Sequence, residues 1–469
     1  MNGNVEENSI LSYLGRINYS FDDRYLATVS FRADGSSRFT EDNRWGYFPS
    51  FSLGWKLSNE SFFQNMNINA ISDLKIRAGW GQTGNQNIDN FAAITTVGTA
   101  NYQVYSFGST YYPAYGPRNL GNAAIRWETS EQTNIGVDAE LFNNRLSVTF
   151  DYFVKKTNDM LLRLPVPTYT GYPNAPFTNA GSVQNKGFDL AINWRGQSGD
   201  FSYSVGGNAS MYKNEVTSLG EGNNPIYGTG FKSALTKTEV GGPMGRFFGY
   251  KWLGIFQTQD EINAYQGKDG SLLQPLALPG DFKFADTDGN GVINDDDRVY
   301  IGSPHPDLYF GFNFNLAYKQ FDLSSSFTGS AGNDMWNEHL AKYFVSIDNV
   351  PAKAYTDAWR QAGDDTRFPR ISQTNKNNNN RTSSWYVEDG SYVRLKNLQL
   401  GYTFSHGLLE RTKLFSSCRI YLSGQNLLTF TKYTGMDPEV GNGSPIQQGF
   451  EITRYPASRI VSIGVNAQF

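Results

Sequence analysis

The chain has 469 residues and a formal net charge of −4, with an isoelectric point near 5.6, so it lacks the basic footprint of a nucleic-acid-binding protein. Tyr (28) and Phe (33) are abundant, Gly contributes 48 residues, and mean hydropathy is −0.49. No run approaches the roughly 18 consecutive apolar residues of a spanning helix. This excludes a helical membrane protein but leaves a β-barrel open, because a spanning strand alternates its two faces and its average hydropathy cancels.

The first residues, Met1 to Ile10, carry neither the basic nor the apolar region of a secretion signal. The expectation for an exported protein is then that the natural start lies upstream. From there the dominant pattern is period-two alternation over about ten residues between turn-forming clusters. Leu146, Val148, Phe150, Tyr152 and Val154 alternate with Ser147, Thr149, Asp151 and Phe153. Phe188, Leu190, Ile192 and Trp194 alternate with Asp189, Ala191 and Asn193. The pattern returns over 201–211 and 310–318. The polar faces are mostly Ser, Thr, Asn and Gly, which suits the inside of a water-filled barrel better than the Lys- and Glu-rich surface of a soluble sandwich. Trp55, Trp80 and Trp194 sit near strand ends, where an interfacial aromatic girdle belongs.

Connections sort by length. Short ones fall at 21–24, 142–145, 196–200 and 319–320. Long ones fall at 34–47, 83–130, 156–185, 214–308, 330–391 and 431–458, and 57–73 and 405–417 are longer links on the short-turn side. Short periplasmic turns alternating with long extracellular loops are the habit of an outer-membrane barrel. This parity gives about thirteen spanning strands if 247–256 is a strand inside the largest loop. The best candidate for a helix is 335–361, and 375–381 reads as a polar, mobile loop. Ser462 to Phe469 alternates and ends on an aromatic carboxyl-terminal residue, the form of a barrel-assembly signal.

Cys418 is the single cysteine, and His305, His339 and His406 have no metal-ligand spacing, so all four read as packing residues. The clearest chemical motif is an acidic loop with oxygen ligands at Asp286, Asp288, Asn290, Asn294 and Asp297, the Val292 carbonyl between them, Gly291 at the tight turn and apolar Ile293 after it. Alternate oxygens on a tight loop can converge on calcium, a hard cation needing six to eight of them. A structural calcium is therefore expected, in a site weakened by Asp297 where a two-oxygen Glu is usual; the alternative is an Asp-, Asn- and Gly-rich turn that holds no ion. No segment carries an acid/base or phosphate-loop motif, and no enzymatic activity is expected.

Several segments together resemble SusC/RagA-type TonB-dependent outer-membrane transporters. They are Arg32, Asp34, Gly35, Arg38 and Phe39 with Arg44, Trp45, Gly46, Phe48, Pro49 and Ser50; Arg77, Gly79, Gly81, Gly84 and Asn85; and Asn185, Lys186, Gly187, Phe188 and Asp189. The series continues with Pro279 to Phe282, through Asp297 and Arg298 to Ile301 and Gly302; Ser391 to Asn397; Gly424 to Leu427; and Tyr433 to Glu439. The resemblance runs in order over the whole chain and implies an all-β fold, the C-terminal part of a 22-stranded antiparallel transmembrane barrel spanning residues 1–469. It also implies a plug domain and signal peptide outside these residues, a SusD-like surface lipoprotein over the mouth, and coupling to TonB only through the missing N-terminal part. Its setting is the outer membrane of a Gram-negative bacterium, and its cargo an oligosaccharide or peptide. Unpaired edges at 12–20 and 459–469 are expected to make an open half-barrel that is unstable alone. Loop aromatics such as Tyr111, Tyr112, Trp336 and Tyr343 are candidates to stack on sugars or to pack against loops or the lipoprotein. The alternative is a secreted, calcium-stabilised β-sandwich that binds or cleaves glycans.

Overall fold

The computed structural model describes all residues except 1–5, 99–103, 114, 164–168, 170–171, 173–175, 230–233, 345–350, 373, 410–414, 440–443 and 452–454. Thirteen antiparallel strands form one sheet in chain order. They are β1 (Ile10–Phe21), β2 (Tyr25–Ser36), β3 (Trp45–Lys56), β4 (Ile71–Asn85), β5 (Glu128–Leu141), β6 (Leu146–Asn158) and β7 (Ser182–Ser198), then β8 (Phe201–Ser218), β9 (Leu308–Tyr318), β10 (Phe321–Ala331), β11 (Tyr392–Thr403), β12 (Ser417–Thr431) and β13 (Ile460–Gln468). The expected spanning strands and the alternation of short and long connections are all present, and Arg246–Tyr250 and Trp252–Ile255 lie inside the 219–307 connection as anticipated. Among the described residues β1 is hydrogen-bonded only to β2, and β13 only to β12.

Two compact units divide the chain. The first comprises residues 1–194, 212–226 and 239–242, and the second 195–211, 227–238 and 243–469. In the first unit, cross-strand register keeps one apolar face continuous. Ile17 lies opposite Val29, Val29 opposite Phe51, Phe51 opposite Trp80, and further along Ile135 lies opposite Tyr152 and Phe150 opposite Leu190. These side chains are exposed: Ile17 is 72% accessible, Leu53 58% and Ile135 55%. An apolar face this extensive needs an apolar medium, and for strands of this length that medium is lipid. Short turns reverse the chain through residues that tolerate a left-handed backbone, with Asp22 at φ 53° and Asp23 at φ 48°, and Asn143 and Asn144 at 56° and 61°. At the loop end of this unit Phe39, Phe48, Ile88, Ile125 and Trp127 form a small core, and the Trp127 indole donates to the Arg44 carbonyl at 3.0 Å. Gly84 is required there, because a Cβ would stand 2.0 Å from a Phe48 ring carbon.

The second unit repeats the two-faced wall, with Leu400 opposite Leu422 and Leu422 opposite Ile463. Its main core lies in the connections, where Phe247, Phe282, Phe284, Trp336, Trp385, Tyr386 and Phe450 are buried together. Short strands carry these residues: Trp252–Ile255 pairs with Phe282–Phe284, and Asp334–Asn337 pairs with Val387–Asp389 and, in parallel, with Phe450–Glu451. The expected helix over 335–361 is replaced by the end of a strand, a 3-10 segment (Glu338–Phe344) and a short α-helix (Ala352–Thr356), because Met335, Trp336 and Asn337 are drawn into that core. The 375–381 run is likewise not a free loop. Asn377 and Asn379 are buried, and both act on the Phe282 backbone: Asn377 Nδ2 donates to its carbonyl at 2.9 Å and its N–H donates to Asn379 Oδ1 at 3.0 Å.

Trp385 is 1% accessible, rests on Phe282 and Tyr386, and donates its indole N–H to the Arg367 carbonyl at 2.8 Å. Trp385→Ala is expected to destabilise this loop body by about 3–5 kcal/mol, seen in hydrogen exchange as lost protection of 247–256 and 282–284 while the amides of β9 and β10 stay protected.

Candidate metal centre

The acidic loop joins the strand Phe282–Phe284 to the strand Arg298–Gly302, with a single 3-10 turn at Asp295–Asp297. Its path is set by side chains that curl the backbone around their own oxygens. Asp286 accepts from Gly289 N–H (2.8 Å) and Gly291 N–H (3.0 Å), which needs the left-handed φ of 73° and 88° that those glycines supply. Asp297 has no accessible surface, and its two oxygens accept from Thr287 N–H (2.6 Å) and Asn294 N–H (2.8 Å). Asn294 Oδ1 in turn accepts from Asp296 N–H at 2.7 Å, completing a capping box. Ile293 anchors the loop by packing against the aromatic core.

Of the six expected ligands, Asp286, Asp288 and Asp297 are brought together, each offering a carboxylate oxygen within 4.8 Å of the others. Asn290 Oδ1 accepts from Val292 N–H at 2.8 Å and its Nδ2 donates to Asp288 at 2.9 Å, which shapes the loop and leaves one lone pair of Oδ1 for a metal. The side chain of Val292 is 57% exposed, leaving its carbonyl as its only possible donor to a metal. Three carboxylates at this separation repel one another unless a cation or N–H donors intervene. This oxygen-only set fits a hard cation, and it is the only cluster of His, Cys, Asp or Glu among the described residues with that convergence.

Neighbours that no sequence spacing announces hold the loop from behind. The Tyr250 hydroxyl donates to Asp295 Oδ1 at 3.0 Å, and burial together with that bond pushes the phenol up to about 12. The Arg381 guanidinium lies over Tyr250 (4.8 Å) and Phe284 (4.7 Å).

Other expected positions separate clearly. Tyr111 (74%) and Tyr112 (51%) are exposed on a hairpin. Trp336 is not an exposed ring: it is 4% accessible and stacked on Tyr386 at 4.6 Å. The Tyr343 and His406 side chains lie outside the described residues. The polar face of the sheet is also less neutral than expected. Arg77 bridges Asp138 (2.9 Å) and Asp151 (2.6 Å), and Arg419 pairs with Asp322 at 2.5 Å. Arg394, almost fully buried, pairs with Asp437 and Glu439, each at 2.5 Å, tying β11 to the connection before β13.

Residues 3–427 match the family described as TonB dependent receptor-like, beta-barrel. The chain belongs to this family. It is 35% identical over 99% of its length to TonB-dependent receptor P3 of Formosa agariphila and 33% identical over 98% to TonB-dependent receptor SusC of Bacteroides thetaiotaomicron, covering 46% and 44% of those proteins. A solved structure, that of the RagAB peptide transporter, superposes with a TM-score of 0.79 at 27% identity over 98% of this chain and 48% of that one. The chain thus spans about half the length of the relatives it matches. As a member of this family it is a barrel protein of the Gram-negative outer membrane, its relatives are receptors and transporters rather than enzymes, and the β-sandwich alternative falls.

Of the histidines, His305 gives a readable pH response. Its Nε2 lies 2.7 Å from the Met244 carbonyl, and burial, partly opposed by that bond, holds its pKa below the ordinary value. Protonation therefore favours the unfolded chain: stability is full above the unfolded value of about 6.5 and falls as pH drops from there toward the lower folded value. Thermal unfolding is expected to come at lower temperature at pH of about 5 than at about 7.5, and His305→Gln should flatten that difference.

Proposed function

We propose that these residues build the wall, lumen lining and outer loops of an importer that carries oligosaccharides or peptides across the outer membrane. The observation that carries this reading is the two-faced sheet, with a continuous exposed apolar side and a polar, ion-paired side, joined by alternating short turns and long loops. Such a wall separates lipid from a wetted lumen, and long loops at one rim supply a place to select cargo. The names of the relatives support it: one is SusC, one structural neighbour is a peptide transporter, and all the curated relatives are called TonB-dependent. On this reading a SusD-like lipoprotein works with the outer loops and energy comes through TonB, with no residue of this chain assigned to that coupling. Deleting the gene that encodes these residues should abolish uptake of a fluorescent oligosaccharide or peptide and restore it on complementation. Undiminished uptake of every such cargo would sink the proposal.

The acidic loop is part of the same proposal, as a structural calcium site held by the Asp286, Asp288 and Asp297 carboxylates with the Val292 carbonyl, Asn290 and Asn294 completing the sphere. The convergence of three carboxylates favours it. A cation bound only by the folded loop stabilises it by about 2.7 kcal/mol at a hundredfold excess over its dissociation constant. Millimolar calcium should therefore raise the thermal midpoint, a chelator should lower it, and Asp286→Asn should remove the response. An identical midpoint with calcium and with chelator would refute the site.

A further inference from the structure

From β2 to β8 the apolar face of the wall carries charge only beyond its last large apolar residues, on the loop side. On β6 the apolar series ends at Val154 and Lys156 follows, on β7 it ends at Phe188 and Lys186 follows, and on β8 it ends at Met211 and Lys213 follows. Leu146 to Val154 is about 27 Å of strand. With the tilt of a barrel strand, the lysines therefore stand at the outer boundary of the roughly 25 Å apolar band. Cross-strand register marks the same level. Trp80 lies opposite Thr133, Thr133 opposite Val154 and Val154 opposite Lys186, so an interfacial tryptophan shares the row of the lysine. On the polar face Asn214 Nδ2 donates to Asn185 Oδ1 at 2.8 Å. In this antiparallel pair of strands that contact sets Lys213 beside Lys186 on the apolar face. Both are exposed, and like charges side by side on one face repel. Lys156 is answered by Glu131 at 4.0 Å, and Glu215 stands one row further out on β8. No carboxylate pairs with Lys186 or Lys213 among the described residues. β6, β7 and β8 each have a strand on both sides, so this arrangement owes nothing to a sheet edge, and it faces away from the lumen.

We propose that Lys186 and Lys213, flanked by Lys156, bind the phosphate of an outer-leaflet lipid. Position and charge both select this occupant. The patch continues the lipid-facing side of the wall and lies at head-group height, and a phosphate between two ammonium groups turns their mutual repulsion into two attractions. A lysine stem is apolar and its head is a compact, mobile charge, which suits a residue that must leave the hydrocarbon and reach a head group. Neutral lipid would leave the two cations opposed. A second copy of this chain, docked about a two-fold axis through the patch, would bring the same cations face to face. The proposal goes beyond the importer reading, because it concerns how the wall is seated in its membrane and holds for whatever cargo passes.

The test is native mass spectrometry of the full-length protein carrying these residues, in a neutral detergent. The probes are monophosphoryl lipid A, the same lipid with its phosphate removed, and inorganic phosphate. The phosphorylated lipid should bind on the order of tenfold more tightly than its dephosphorylated counterpart. Lys186→Gln combined with Lys213→Gln should remove that preference, and the corresponding pair of Arg substitutions should keep it. Arg145→Gln, at the short turn on the opposite side of the membrane, serves as a charge control with the wild-type preference. Heat-modifiable electrophoretic migration confirms that each variant is folded, and Lys213→Gln alone, expected to weaken the preference, stands in should the double variant fail to fold. Equal binding of the two lipids, or an undiminished preference in the Gln variants, overturns the site. Displacement of the lipid by an equal concentration of inorganic phosphate would make it a site for free anions and overturns it as well. A dimer that the Gln variants abolish, with lipid binding unchanged, would assign the patch to a second copy and overturn it too.

Discussion

Backbone hydrogen bonding in a medium without water governs this molecule. Inside hydrocarbon each unpaired N–H or C=O costs several kcal/mol, so a strand can cross only with a neighbour on either side. From β2 to β12 the thirteen-strand sheet meets that demand strand by strand, and everything else is arranged on it. Side chains on the lipid side are free to be large and apolar, as Ile17, Phe51 and Leu422 are. Those on the other side are polar, and the Arg77 and Arg419 ion pairs satisfy them across strands while Arg394 pairs with the connection before β13. The same ion pairs hold register, because a one-residue slip would turn Arg77 and Asp138 out toward lipid.

The connections follow a different rule. Long loops in water have to bury their own core, and the 219–307 and 332–391 connections do this together with Phe450 around Trp385, Phe282 and Phe284. Several polar groups taken into that core are matched. Gln274 and Asn377 serve the backbone of the strand Phe282–Phe284, Asp281 accepts from Arg370, and Glu451 accepts from the Tyr433 hydroxyl. The acidic loop hangs from this body through Ile293, with Tyr250 and Arg381 behind it. A cation there would act on the rigidity of the loops and not on the wall.

Segments that look like family signatures prove to be structural joints. Arg394 and the Asp437–Glu439 pair come from two such segments and meet as one buried cluster. Gly84, from a third, is a glycine because the Phe48 ring of another occupies the space of its side chain. Asp34 braces Arg32 within a single segment. These residues explain why the pattern is recognisable without implying that each of them touches cargo.

Much of this was legible in the sequence. Period-two alternation over membrane-length runs and the sorting of connections by length determined the strand count and the two faces, because side-chain direction in a strand is fixed locally by the pleat. The spacing of acids and glycines in 286–297 likewise determined much of the curl of that loop, since Asp286 and Asp288 serve backbone groups only two to five residues away. What the tertiary structure alone decided are the partnerships between distant segments. Trp336 looked like an exposed loop ring and is buried, 375–381 looked free and is an internal clamp, and the polar wall looked neutral and is threaded with ion pairs. None of these could be read locally, because burial and charge pairing depend on which strand or loop arrives alongside, and that is set by register and loop closure across tens to hundreds of residues.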